Sequence, residues 1–319
     1  MEDDFKNKVV LITGGTGSIG SEIVRQLLAT NVAQVRIYSR DEHKQYVLKQ
    51  ELGDDIRLRY LIGDIRDKDR LDFAFRGVDI CFHAAALKHV PICEYNPFEA
   101  VKTNVVGTQN VVEISIKHNL EKVVAISTDK AVAPESVLGA SKLMMERLIT
   151  AANVITGQGR TRFSCVRFGN VLNSRGSVIE LWRKQIEAGG PLTITHRKAT
   201  RYFMGIPEAV SLIFDAARLM EGGEIFVLKM KRRPIVEFAK EVIQKFANGK
   251  KIKLTYIGLR PGEKMHEALL TADEISHTLE SKDMFIVLPG NIAQLSSPGK
   301  LRQYPGTRKA RRNSYVSNS

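Results

Sequence analysis

The sequence predicts an α/β fold, a doubly wound parallel sheet followed by a smaller, discontinuous C-terminal substrate domain. Three observations predict it. Residues 1–230 alternate short apolar, β-branched runs with helical patterns. A glycine-rich turn directly follows the first of those runs. Beyond about residue 170 the alternation gives way to irregular Gly-, Pro- and Thr-rich sequence such as Gly189–Thr195.

The strands are read at Lys8–Thr13, Gln34–Ser39, Leu58–Gly63, Val78–His83, Lys122–Ser127 and Phe163–Phe168. Such continuous apolar strands are buried on both faces, as in a parallel sheet covered by helices. Helical patterns lie between them, at Ile19–Ala29 and across the amphipathic stretch Asn96–His118, so the connections are βαβ crossovers. A helix over Pro207–Met220 leads to a strand, Glu224–Lys229, that returns to the same sheet. A helix over Pro234–Phe246, a strand over Ile252–Gly258 and a second helix opened by Pro261 complete the smaller domain. The expected division is residues 1–170 with 204–230 for the sheet domain, and 171–203 with 231–295 for the smaller one. Residues 296–319 form a basic tail.

Composition narrows the function classes. The chain has 319 residues, 43% hydrophobic and 26% charged, which suits an ordinary globular protein with a sizeable core. No apolar run is long enough to cross a bilayer, and MEDDFKNK is not a secretory signal, so a cytoplasmic protein is expected. Cys81, Cys93 and Cys165 are odd in number and lack metal-ligand spacing, so they read as reduced thiols and no metal site is expected. The net charge of +13 is partly concentrated in Lys300, Arg302, Arg308, Lys309, Arg311 and Arg312. No aromatic platform accompanies these cations, so a solvated tail is expected rather than a nucleic-acid site. The Ser314-Tyr315 segment reads as the place where a longer tail was cut.

The glycine turn is Thr13-Gly14-Gly15-Thr16-Gly17-Ser18-Ile19-Gly20. Between a strand and a helix, Gly14, Gly17 and Gly20 permit a tight turn and close approach of backbone to a pyrophosphate. The helix N-terminus then offers free N–H groups and positive potential to the phosphates. Placement after the first strand and before a helix makes this a Rossmann-type dinucleotide site rather than a bare turn. Thr16, Ser18 and Ile19 are the remaining contacts expected there. At the end of the second strand, an acid would bind the ribose 2′-hydroxyl of NAD. This chain has Ser39-Arg40-Asp41, with Lys44 a turn later. Arg40 can pair with the 2′-phosphate of NADP, while Asp41 leaves NAD open. Asp64 and Ile65 are placed by the adenine, and Ala84, Ala85 and Ala86 let the cofactor lie against backbone. Asn104 is a further cofactor candidate.

The fifth strand ends in Ser127-Thr128-Asp129-Lys130, where strand ends face the ligand crevice. A hydroxyl, a carboxylic acid and an amine side by side form an acid–base set. Lys142 follows in Leu138-Gly139-Ala140-Ser141-Lys142, one helical turn beyond position 138. In short-chain dehydrogenases that slot holds tyrosine, which exchanges the alcohol proton. Here it is leucine, which cannot.

With these residues the chain resembles the UDP-N-acetylglucosamine 4,6-dehydratases of polysaccharide and flagellar-glycan biosynthesis, within the extended short-chain dehydrogenase/reductase superfamily. The resemblance rests on Ser127-Thr128-Asp129-Lys130-Ala131 before a non-tyrosine GAxK. It extends through Ser39-Arg40-Asp41-Glu42, Ala86-Leu87-Lys88-His89-Val90, Asn104-Val105-Val106-Gly107-Thr108, Arg167-Phe168-Gly169-Asn170-Val171 and Arg260-Pro261-Gly262-Glu263-Lys264. Some members of that group also replace the tyrosine, usually by methionine.

The resemblance implies a redox-neutral dehydration of a UDP-sugar. Hydride leaves sugar C4, the resulting ketone acidifies the C5 proton, water departs from C6, and hydride returns to C6. The product is a 4-keto-6-deoxy sugar, and the nicotinamide cofactor, NADP or alternatively NAD, is tightly held and regenerated each turnover. Asp129 is then the expected acid at the C6 oxygen and Lys130 the base at C5, given a pKa depressed by burial. Thr128 would bond the C4 oxygen, and Lys142 the nicotinamide ribose. Asp129, Lys142 or a water must replace the missing tyrosine. Lys88, Asn170, Val178, Arg201, Arg260 and Glu263 are the candidate substrate ligands, Arg201 and Arg260 for diphosphate or ribose. A homo-oligomer is expected.

Each residue alone also has a plainer reading: a turn cap for Asp129, a surface charge for Lys130, a local ion pair for Arg260 and Glu263. Two rival functions stay open, a nucleotide-sugar 4-epimerase and a non-catalytic NADP-binding protein. Leu138 argues against the first, and the Asp129-Lys130 pair with Lys142 against the second.

Overall fold

In the computed structural model, residues 4–157, 159–290, 304, 306–311 and 315 are described. The chain runs β1 (Val9–Thr13), α1 (Ser18–Leu28), β2 (Gln34–Ser39), α2 (Glu42–Leu52), β3 (Leu58–Ile62), α3 (Lys68–Phe75), β4 (Ile80–His83), α4 (Val90–Tyr95), α5 (Pro97–Ala100), α6 (Gly107–Lys117), β5 (Lys122–Thr128), α7 (Val137–Ile155) and β6 (Arg162–Phe168). Then come β7 (Asn170–Val171), α8 (Val178–Glu187), β8 (Leu192–Ile194), β9 (Thr200–Met204), α9 (Ile206–Leu219), β10 (Ile225–Leu228), β11 (Arg232–Pro234), α10 (Ile235–Phe246) and β12 (Leu254–Tyr256). Finally β13 (Thr278–Glu280), β14 (Met284–Val287) and β15 (Arg308–Lys309) follow a short 3-10 turn.

The large sheet has the order β15-β13-β14-β10-β6-β5-β4-β1-β2-β3. From β3 to β10 every pairing is parallel. The strand order reverses between β1 and β4, and the carboxyl ends of the strands there open a crevice for ligand. Val10, Leu11, Ile12, Val123 and Val124 have no exposed surface, as expected of central strands covered on both faces. Phe5, Phe82 and Phe214 pack one face together, with Phe5 and Phe214 ring centroids 5.0 Å apart.

The smaller unit is built from β7, β9 and β11, from the pair β8–β12, and from α8 and α10. Its own core contains Trp182, Ile186, Leu192, Ile194 and Phe238. The face of α8 that carries Ile179, Trp182 and Ile186 at helical spacing is the buried one.

Four segments depart from the sequence expectation. Asn96–His118 is not one helix: a π-helical turn, Val101–Val106, separates α5 from α6. That turn brings Asn104 inward, where its side chain accepts from Leu87 N at 2.8 Å and donates to Leu87 O at 3.1 Å. No helix follows Pro261. Arg201 and Thr195 both donate to Glu263, and a bridge ties Thr200 to His266, so the segment is drawn out along β9 instead. β13 and β14, in residues expected to belong to the smaller domain, extend the large sheet, β14 antiparallel to β10 and β13 antiparallel to β14. Finally, the expected solvated tail is docked where it is described. Arg308 and Lys309 pair with β13, Arg308 lies 3.4 Å from Glu280, and buried Tyr304 donates to Glu224 at 2.7 Å. Burial of two aromatics, Tyr304 and Tyr315, and completion of strand hydrogen bonds offset the ordering cost that leaves most charged tails loose. Lys300, Arg302, Arg312 and Ser314 lie outside the described residues.

Candidate active site

The crevice at the switch point is a cavity of about 810 Å3 between the large sheet and the smaller unit. Every expected cofactor residue from Gly14 to Ala86 lines it. β1 ends at Thr13, and Gly14 turns the chain with φ +67°. A Cβ at Gly14 would lie 2.8 Å from Ala85 N and Cα, so the glycine loop and the Ala84-Ala85-Ala86 wall meet backbone to backbone. A Cβ at Gly20 would collide with the Gly14 carbonyl, which fixes the approach of α1 to the loop. Gly17 caps α1 without a side-chain hydrogen bond, so the helix start presents its N–H groups to the cavity. This cradle fits a dinucleotide pyrophosphate. Asn104, by contrast, is 1% exposed and outside the cavity; it donates to Ser141 Oγ at 3.0 Å and braces the loop at Leu87 against α7.

At the β2 end, Asp41 is committed to capping α2. It accepts from Lys44 N at 3.0 Å and pairs with Lys44 Nζ at 2.6 Å, and these bonds hold its carboxyl below the usual range. Arg40 is half exposed over the cavity, 3.6 Å from Asp64. Asp64 in turn accepts from Arg66, at 2.7 Å from Nη2.

Opposite lies the set at the end of β5. Thr128 and Lys130 line the cavity. Asp129 does not: it has no exposed surface and sits one side chain behind them. Thr128 Oγ1 donates to Asp129 Oδ1 at 3.0 Å, and Lys130 Nζ donates to the same oxygen at 2.9 Å. Asp129 Oδ2 faces Gly169 and has no hydrogen-bond partner among the described residues. Lys130 Nζ also donates to Asn170 Oδ1 at 3.3 Å and lies 3.6 Å from Glu267 Oε1. These contacts correct the expected Lys130 pKa. Burial lowers it, but the carboxylates of Asp129 and Glu267 outweigh burial and hold the ammonium above its ordinary value.

Leu138 occupies the tyrosine slot, 3% exposed, on the cavity wall among Cys93, Ala100, Leu87 and Val90. Lys142 lies beneath it, donating to Ile126 O at 2.8 Å. Burial, only partly opposed by the nearby Cys165, Glu146 and Cys93, pulls its pKa to about 8.

The expected substrate residues Lys88, Asn170, Val178, Arg201, Arg260 and Glu263 all line the far end of the same cavity. Arg201 and Glu263 are bound to each other, at 2.6 Å, rather than each facing the cavity alone. Lys88 Nζ donates to Arg175 O at 2.5 Å, and burial lowers its pKa.

Sequence reasoning missed three contributors. Glu267 comes from the drawn-out segment after Pro261 and carried no spacing signal toward Lys130. Arg175 donates to Thr16 O at 3.0 Å and its N–H to Ser18 Oγ at 2.9 Å, so the loop before α8 leans on the glycine turn. Behind β5, buried Arg167 bonds Glu146 at 2.7 Å, Glu274 at 2.8 Å and Leu269 O at 2.9 Å. Glu146 accepts from Ser127 at 2.6 Å, so this clasp ties the strand end to the segment that carries Glu267.

The family model for polysaccharide biosynthesis proteins matches residues 10–289. The chain belongs to that family. It is 41% identical over 287 residues to a Campylobacter jejuni protein named UDP-N-acetylglucosamine 4,6-dehydratase (inverting), covering 89% of this chain and 84% of the relative. Over 290 residues it is 51% identical to a Methanocaldococcus jannaschii protein named an uncharacterized membrane protein, covering 89% and 87%. It is also 42% identical over 276 residues to a Rickettsia akari protein named UDP-glucose 4-epimerase, covering 85% and 80%. Among solved structures, Pen from Bacillus thuringiensis superposes with a TM-score of 0.88 at 45% identity, covering 90% of this chain and 89% of that one. Despite the name of the archaeal relative, no helix among the described residues is long and apolar enough to cross a membrane.

Proposed function

We propose that this protein is a nucleotide-sugar 4,6-dehydratase acting on UDP-N-acetylglucosamine, with NADP as its retained cofactor. The observation that carries the reading is the pair Thr128 and Lys130 on the wall of the cavity that the glycine loop also lines, both bonded to buried Asp129, with leucine where a proton-exchanging tyrosine would stand. The identity with the Campylobacter jejuni dehydratase supports it. Arg40 favours NADP, because its half-exposed guanidinium stands at the end of β2 while Asp41 is spent on capping α2.

The nicotinamide, when bound, supplies the hydride acceptor at the start of the cycle and the hydride donor at its end. The chain supplies the proton chemistry and the positioning. Lys142, whose pKa burial pulls down to about 8, is a neutral amine above that pH and then receives the C4 hydroxyl proton that tyrosine would otherwise take. Thr128 Oγ1 bonds the C4 oxygen and holds it in line. Lys130 Nζ removes the C5 proton. Asp129 has no surface on the cavity and accepts from both Thr128 and Lys130, so it orients those two side chains rather than acting as the acid expected at C6; the proton that Lys130 takes from C5 passes to the departing C6 hydroxyl, which leaves as water. The Arg201–Glu263 pair and Arg260 hold the diphosphate and ribose, and Asn170 the sugar side. The name of the Campylobacter jejuni relative points to inversion at C5.

The epimerase reading has one observation in its favour, the 42% identity to the Rickettsia akari protein. Mass spectrometry of the sugar nucleotide after incubation with UDP-N-acetylglucosamine and a trace of NADP separates the two. Loss of one water supports the dehydratase. An unchanged mass with a new stereoisomer supports the epimerase and overturns our reading.

A further inference from the structure

Lys130 poses a chemical problem within the dehydratase reading. It is the side chain placed to take the C5 proton, yet it is held as an ammonium between two carboxylates. A base must first lose its proton. Asp129 Oδ1, bonded to Lys130 Nζ at 2.9 Å, already accepts from Thr128 as well, and a second carboxylate, on the cavity wall, is placed to receive the proton. Glu267 is 4% exposed, lines the cavity, and has Oε1 3.6 Å from Lys130 Nζ. Its other oxygen, Oε2, is buried without a hydrogen-bond partner among the described residues, and the nearest cation, Lys264 Nζ, stands 4.0 Å away. A buried carboxylate oxygen left unbonded is costly as an anion and is relieved by a proton.

We propose that Glu267 is the proton partner of Lys130: it accepts the Nζ proton, leaving Lys130 as a neutral amine that can take the proton from substrate C5. The balance is internal. Lys130–NH3+ and Glu267–COO− become Lys130–NH2 and Glu267–COOH, with no exchange with solvent. When C5 gives up its proton to Nζ, the electron pair passes toward the C4 ketone and then expels the C6 hydroxyl, which takes that proton from Nζ and leaves as water. Glu267 acts through Lys130 and is a positioning residue.

The surroundings are consistent with this. Burial raises the Glu267 pKa, and Asp129 raises it further, against the opposing pull of Lys130, Arg201 and Lys264. Those are the charged groups that face it: Asp129 and Lys130 from the turn after β5, Arg201 from β9 and Lys264 from its own segment. Arg232, from β11, bonds its backbone carbonyl at 3.2 Å. The Arg167 clasp anchors the same segment at Leu269 and Glu274.

The inference rests on the dehydratase reading, and its test has two arms so that the two can fail separately. The first arm compares dehydration rates from pH 6.5 to 9 for the wild type, Glu267→Gln and Glu267→Asp. In the wild type the working pair is a tautomer with a fixed number of protons, so it adds no slope to kcat across this range, and the remaining pH dependence is that of Lys142 near pH 8, common to all three proteins. In Glu267→Gln, Lys130 must deprotonate to solvent, so kcat falls about 30-fold at pH 7, climbs about tenfold per pH unit, and leaves KM within about threefold. Glu267→Asp restores the wild-type profile. The second arm needs no turnover: competitive acetylation of Lys130, read by peptide mass spectrometry, follows its deprotonation directly. Loss of the neighbouring carboxylate moves the labelling midpoint down in Glu267→Gln. A kcat profile parallel to the wild type, whatever the size of the loss, or an unmoved labelling midpoint overturns the proposal. A wild-type protein that dehydrates no nucleotide sugar overturns the dehydratase reading instead, while the labelling arm still reports on the pair.

Discussion

Replacing Lys142 by methionine removes a buried cation while keeping most of its aliphatic volume, and the consequence reverses sign with pH. The folded state holds this proton less tightly than the unfolded chain, because burial lowers the pKa from 10.5 to about 8. Below pH 8 both states are protonated and the fold carries the full penalty. As pH rises from 8 to 10.5 the folded lysine is neutral while the unfolded one is still giving up its proton, and the penalty disappears. The difference between those values corresponds to about 3 kcal/mol at 1.36 kcal/mol per unit. Methionine also loses the bond from Nζ to Ile126 O, a net cost of about 1 kcal/mol. Lys142→Met is therefore more stable than the wild type by about 2 kcal/mol at pH 7 and less stable by about 1 kcal/mol near pH 10.5. Urea unfolding of the cofactor-free proteins at a series of pH values measures this. Parallel stability curves for the two proteins between pH 7 and 10.5 would refute the reasoning. The same variant loses dehydration, because methionine cannot take the C4 proton.

Other perturbations test the rest of the site. The Arg167 clasp outweighs the burial of Glu274 and holds its pKa at about 2. Its contribution of about 3 kcal/mol is present above pH 4.5 and is lost as pH falls through 2, so Glu274→Gln lowers stability by that amount at pH 7, read by urea unfolding. Gly14→Ala places a Cβ 2.8 Å from Ala85 backbone at a positive φ, and cofactor binding measured by calorimetry falls below detection while the fold persists. Arg40→Ala removes one charge-assisted contact and lowers the preference for NADP over NAD by about tenfold or more, read from the two dissociation constants.

The parallel sheet was legible because its central strands β1, β4 and β5 are mostly apolar runs buried on both faces, and the glycine turn because its function depends on local spacing. The Thr128-Asp129-Lys130 cluster was legible for the same reason, being contiguous. What the sequence left hidden arises from long-range placement. Asp129 is buried behind Thr128 against Gly169, which follows β6 and is distant from it in sequence. Lys130 is held as an ammonium by Asp129 together with Glu267, which reaches it from the segment after β12, and no local pattern carries that second contact. The segment after Pro261 has a helix-opening proline, yet the bonds from Arg201 and Thr195 to Glu263 draw it into an extended path. The tail's charge suggested solvent exposure, while Tyr304 and Tyr315 supply the apolar burial that docks it.

The dehydratase activity is tested most directly by the mass of the product made from UDP-N-acetylglucosamine by the wild-type protein and by Lys130→Ala. The wild type is expected to yield a sugar nucleotide lighter by one water and the variant none, with no net consumption of NADP. A product of unchanged mass, or full dehydration by Lys130→Ala, would contradict that expectation.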